Sequence, residues 1–145
     1  MFAAKPKSMT LTLRVLARLL SYPDAALRAH LDEMRDALRA EQALSAPRLA
    51  EIEALIASIA RQSAIDAEAD YVQLFDSGRS TSLHLFEHVH GDSRDRGPAM
   101  IDLVRTYEQA GLFLGEGQMP DHLPVVLEYA STQPPREARA FLAEI

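Results

Sequence analysis

The residues best suited by type to do chemistry lie between Tyr71 and Tyr129, where histidines and acids crowd into a stretch whose apolar spacing stays helical. His84-Leu85-Phe86-Glu87-His88 fits the pattern H-x-x-E-H, which in inverted zinc peptidases supplies two imidazole ligands and a general base. On a helix, His84 and His88 stand four residues apart and share a face, as two ligands of one ion must. Glu87 would then take the proton from a metal-bound water. The pattern has few fixed positions, however, and zinc needs a further protein ligand. His90 falls two residues past His88 and points away from that face. Glu128 is distant along the chain, and no spacing ties it to the pair. The competing expectation is a partly buried helix that presents these side chains to a partner. Gly91 reads as its stop, which puts His88 and His90 in the last turn, where a cation gains about 0.3–1 kcal/mol from the helix dipole. A zinc-dependent hydrolase using His84, Glu87 and His88 is therefore the alternative and not the first reading.

Other groups give weaker signals for chemistry. Arg94 and Arg96 flank the start of a helix, the unfavourable end for cations. They are expected to pair with Asp92, Asp95 or Glu87, or to grip an anion or carboxylate on a partner. Tyr71, Leu74 and Phe75 read first as core. Asp121 reads as a helix N-cap, a role compatible with touching a partner. Gly111, Gly115 and Gly117 lack a following Lys-Ser/Thr pair, so they form no phosphate-binding loop. The chain has no cysteine, which excludes disulfides, thiolate zinc sites and cysteine nucleophiles together.

The elements that must carry these side chains are helices. From Thr10 to Leu20, Leu13, Leu16, Leu19 and Leu20 form one stripe, closed by Ser21-Tyr22-Pro23-Asp24. Leu27, Leu31, Met34 and Leu38 continue the helical period. Ser45 with Pro47 marks a new start, followed by Leu49, Ile52, Leu55 and Ile59. A further helix spans Ala64 to Phe75 and ends at Asp76-Ser77-Gly78. With Asp95 as N-cap, Pro98 falls at N3, where no intrahelical donor is needed. Met100, Leu103, Val104 and Tyr107 follow, and Gly111 supplies the stop. The same logic makes Asp121 the N-cap and Pro124 the N3 residue of a helix through Leu123, Val126, Leu127 and Ala130. Pro134-Pro135 opens a last helix that reaches Ile145. The expectation is all-α: a single-domain helical bundle over 1–145 with about seven or more helices. Its last helix ends abruptly, which reads as C-terminal helices lying beyond Ile145.

Composition sets the outer bounds. The 145 residues suit one domain, which can bury roughly 68–70% of its unfolded surface. A net charge of -6 and a pI near 5.3 argue against a nucleic-acid partner and favour a cationic or amphipathic peptide. Lys5 and Lys7 precede an apolar stretch in the manner of a signal peptide, but Arg14 and Arg18 interrupt it and no small-residue cleavage site follows. No uncharged run approaches the ~20 residues needed to span a bilayer. A cytoplasmic protein without direct membrane insertion is expected, and pairing of two copies through exposed apolar faces stays open.

The ordered segments resemble one family. Leu19-Leu20-Ser21-Tyr22-Pro23-Asp24 is similar to its opening helix end, and Tyr71-Val72-Gln73-Leu74-Phe75-Asp76 resembles its Y-x-x-L-F motif. Leu83 to His90, continuing through Gly91-Asp92-Ser93-Arg94-Asp95-Arg96-Gly97, resembles the nitrate-reductase branch. Met119-Pro120-Asp121-His122-Leu123-Pro124 with Leu127-Glu128-Tyr129 resembles the P-D-H-L-P…L-E motif of the wider group. These are the marks of the NarJ-type assembly chaperones of respiratory nitrate reductase, within the TorD/DmsD group. Pro98 departs from the pattern, standing where an ordinary helix residue is expected, and the chain is shorter than the usual family length. The resemblance implies a non-enzymatic helical chaperone that binds the N-terminal segment of the apo catalytic (alpha) subunit. Such a chaperone keeps no cofactor of its own, supports molybdenum cofactor insertion into its client and delays membrane docking. The expected peptide-facing set is Tyr71, Phe75, His84, Glu87, His88, Asp121, His122 and Glu128. His84, His88 and His122 would make recognition sensitive to pH near neutrality.

Overall fold

The computed structural model describes residues 7–145; Lys5, part of the signal-peptide reading, lies outside them. Among the described residues the chain folds into nine α-helices and one short 3-10 turn, with no strand longer than a single bridge. The helices are α1 Thr10–Leu19, α2 Ala25–Ala29, α3 Leu31–Glu41, α4 Ala46–Arg61, α5 Ala64–Phe75, α6 Leu85–Val89, α7 Arg96–Gln109, α8 Leu123–Ser131 and α9 Pro135–Glu144. The all-α expectation is met.

Helix α1 is the axis because it is apolar on two faces. Val15 and Leu19 pack with Leu27, Leu31, Leu38 and Ile56 of α2, α3 and α4. Leu13 and Ala17 face the other way, against Leu127 and Ala130 of α8 and Ala138 of α9. A third cluster joins Phe86 of α6 to Leu103 and Tyr107 of α7, with Val125 and Tyr129 of α8 packed against it. Helix α8 is thus wedged between α1 and α7. Burying each large apolar side chain contributes about 1.5–3 kcal/mol, so these shared faces fix where α8 sits.

The helix ends explain the boundaries. Asp24 accepts the Leu27 N–H (2.8 Å) and Ser63 the Asp66 N–H (3.2 Å), capping α2 and α5. Asp95 is the N-cap of α7 with Pro98 at N3, as its spacing predicts, although the Asp95 side chain makes no capping bond. At the other end of α7, Gly111 adopts φ +80, its N–H donates to the Glu108 carbonyl (2.9 Å), and Leu112 N–H donates to that of Tyr107 (2.9 Å). That is the Schellman arrangement, which needs a left-handed residue at Gly111. One expectation is corrected. The Leu27 to Leu38 stripe is not one helix: His30 (φ -110, ψ 12) breaks it into α2 and α3. The period survives because both pieces rest on the same core.

Candidate functional site

Helices α6 and α8 begin side by side. Leu85 N–H donates to the Asp121 carbonyl (3.0 Å) and Leu123 N–H to the Leu83 carbonyl (2.8 Å). The two segments entering these helices therefore form one antiparallel bridge at His84 and His122. Both histidines are extended N-cap residues, and their rings stack with centroids 5.0 Å apart. Asp121 is completely buried behind them. Its Oδ2 accepts the Phe86 N–H at 3.0 Å, which makes it the cap of α6 although it belongs to the segment leading into α8. Its Oδ1 has no hydrogen-bond partner and lies 3.7 Å from His84 Nδ1. This corrects the expectation that Asp121 caps α8. Helix α8 starts one residue later, with His122 as cap and Pro124 in its first turn, where the missing N–H costs nothing.

Burial lowers the pKa of His122 below its ordinary value of 6.5, and the stacked His84 lowers it further, against the opposing pull of Asp121 and Asp76. The N-terminal end of α8 works in the same direction, because it disfavours a cation. The segment leading to Asp121 is anchored by Tyr107, whose buried hydroxyl donates to the Pro120 carbonyl at 2.8 Å. Burial pushes the Tyr107 phenol well upward, helped by the neighbouring Tyr129 and Asp121, so it stays a neutral donor.

The H-x-x-E-H segment does not form a metal centre. His84 precedes α6 in extended conformation and turns onto His122, while His88 Nε2 donates to the Ser82 carbonyl at 2.8 Å. The shared helical face expected of them is absent because α6 begins only at Leu85. Among the described residues no group of three His, Cys, Asp or Glu side chains is placed to hold a metal ion.

In front of the histidine pair lies an open cleft of about 550 Å³, walled by Arg18 of α1 and Ser21 just beyond its end, by Gln118 and Met119, and by Glu128 of α8. A smaller cavity of about 140 Å³ continues on the other side of α8, lined by Leu112, Leu114, Tyr107, Tyr129 and the 76% exposed Phe113. Gln118, Val125 and Glu128 belong to both. The result is a polar arm and an apolar arm meeting at one exposed carboxylate.

Of the expected site residues, His84, Asp121, His122 and Glu128 come together here. Glu87 is half-buried and His88 exposed on the short α6. Tyr71 and Phe75 pack with Tyr22 in an aromatic cluster (4.9 and 5.7 Å between centroids), and the Tyr71 hydroxyl donates to the Leu20 carbonyl at the end of α1. Arg96 reaches the Gly91 carbonyl at 3.5 Å. Arg94 forms no ion pair among the described residues; Asp92 pairs with Arg79 at 3.8 Å. Arg18, Ser21, Phe113 and Gln118 were not legible as site residues. Gln118 and Met119 adjoin Pro120-Asp121-His122, which offered a hint, but nothing local marks Arg18.

The fold is an all-helical one seen also in a crystal structure from Archaeoglobus fulgidus described as a redox enzyme maturation protein, with TM-score 0.61, 20% identity, and coverage of 100% of this chain and 98% of that one. The chain belongs to the nitrate reductase delta subunit family, which matches residues 20–144. It is 47% identical over 131 residues to the nitrate reductase molybdenum cofactor assembly chaperone NarJ of Escherichia coli K12, covering 90% of this chain and 56% of that protein. It is 38% identical to NarW of the same strain (92% of this chain, 54% of that one) and 32% identical to NarJ of Bacillus subtilis (90% and 70%). The chain thus spans about half the length of the Escherichia coli relatives.

Proposed function

We propose that the chain acts as a cytoplasmic, non-enzymatic assembly chaperone for respiratory nitrate reductase. In this reading it holds the N-terminal segment of the apo catalytic subunit, keeps it open to molybdenum cofactor insertion and delays its docking on the membrane. The cofactor is cargo for the client, and the chaperone needs none of its own. The observation that carries the reading is the two-armed cleft over α8. Helix-in-groove recognition needs an apolar trough beside a polar rim. Here Phe113, Leu112 and Tyr129 offer the trough, while Glu128 and the histidine pair offer the rim. A net charge of -6 steers a basic amphipathic segment toward it. Among the described residues no helix is long and apolar enough to cross a membrane. A zinc hydrolase finds no support here, because His84 and His88 part company at the start of α6.

Calorimetry with a synthetic peptide from the N-terminus of the cognate catalytic subunit, against a scrambled control, tests the proposal. Saturable binding of the authentic sequence alone is expected, weakened about tenfold by Glu128→Ala, a loss typical of a central charged contact. Equal heats for authentic and scrambled peptides would sink it.

A further inference from the structure

Helix α7 turns Leu103 and Tyr107 into the core and leaves another face outside it. On that face Ile101 is 54% exposed, and it recurs with Val104, Arg105 and Glu108 at i, i+3, i+4 and i+7, so the four share one arc of the helix. Scattered surface apolar residues are ordinary, but these side chains wall a groove of about 420 Å³ together with Met119 and Pro120. Met119 is the one residue this groove has in common with the His122 cleft, so the two adjoin without coinciding. Arg105 and Glu108 are exposed, and neither forms an ion pair among the described residues. The chain as a whole, at net charge -6, repels a second copy. On this stripe the formal charges cancel.

We propose that the outer face of α7 pairs with the same face of a second copy of the chain, as an antiparallel two-fold dimer. The charge pattern selects this occupant. One base and one acid three residues apart make a stripe that is its own complement. A two-fold axis lays α7 of the second copy alongside in the opposite direction and sets Arg105 of each copy against Glu108 of the other. Guanidinium and carboxylate are suited to such paired hydrogen bonds, while Ile101 and Val104 of both copies close over the groove. A partner of a single charge sign would satisfy one of the two residues and leave the other against a like charge. One helix face falls at the small end of specific interfaces, so the pair forms as a concentration-dependent equilibrium.

Sedimentation equilibrium of the full chain, from micromolar toward millimolar concentration, tests this. The expected result is a mass that rises from one chain toward two. Arg105→Glu and Glu108→Arg should each weaken pairing about tenfold, because like charges then meet across the axis. The double swap Arg105→Glu/Glu108→Arg should restore it. An equimolar mixture of the two single variants, one with two acids and one with two bases, should pair more tightly than either alone. These side chains are at the surface, so circular dichroism of the variants should match the parent chain. Binding of the client peptide should be unaltered, since neither position lines the cavities over α8. Amide shifts with rising concentration should fall along α7. Four results would each overturn the proposal: a chain that stays single throughout, a pair that both single variants leave intact, a double swap that fails to restore pairing, or shifts centred on α5 or on the His122 cleft.

Discussion

At the scale of the residue, Asp121 does the most. It is the one fully buried carboxylate among the described residues, and it sits there because one oxygen closes the N-terminus of α6. Removing it leaves the Phe86 N–H buried without an acceptor, which costs more than a surface cap. Asp121→Ala should therefore lower stability by about 2 kcal/mol, the upper range for a lost cap plus an orphaned donor. Asp121→Asn keeps a carbonyl oxygen for Phe86 and should recover most of that in urea denaturation. The two variants also separate its roles. If Asp121→Asn folds like the parent yet binds the client peptide more weakly, the unpaired Oδ1 beside His84 matters for recognition as well as for packing. If Asp121→Ala is as stable as the parent, the trans-capping account fails.

At the scale of the element, another long-range cap shows why part of this molecule was hidden in its sequence. Helix α1 begins at Thr10 with Met9 as N-cap, a residue that cannot cap. Its free N–H groups go instead to Glu41 at the end of α3: Thr12 N–H donates to Oε1 (2.8 Å) and Leu11 N–H to Oε2 (3.1 Å). Burial raises the pKa of Glu41, but the hydrogen bonds from Thr12, Leu11 and Ser8 outweigh it and leave the pKa below its ordinary 4.5. Glu41→Ala should cost about 1 kcal/mol, as a lost cap does, with α1 amides exchanging faster with solvent; unchanged exchange at Leu11 and Thr12 would refute the cap. Local signals served well where they were local. The helical period located α1, α4 and α7, while Asp95, Gly111 and Pro134-Pro135 marked ends because backbone chemistry favours those residue types there. Three features were out of reach. The break at His30 left the apolar period intact. The start of α8 slipped by one residue because Asp121 was already committed to α6. The pairing of His84 with His122 arises from a bridge between segments far apart in sequence, which no spacing rule encodes.

At the scale of the whole molecule, α1 and α8 hold the cleft and proton uptake tests how tightly. His122 has its folded pKa lowered, so the native state resists a proton that the unfolded chain accepts freely. The unfolded state therefore binds more protons just below 6.5, and stability must rise with pH through that window. The contribution is complete above 6.5 and is lost as pH falls through the folded pKa of His122. Glu41 acts with the same sign lower down, since its folded pKa is also lowered: its contribution is present above 4.5 and lost on further acidification. Urea midpoints measured against pH should therefore fall in two separable steps. His122→Gln should remove the upper step and leave the lower one, while Glu41→Gln should do the reverse. A parent chain whose midpoint stays level on crossing 6.5 would mean that His122 is as free to take a proton in the fold as out of it. The burial of His122 against its stacked partner would then impose no cost on its charged form.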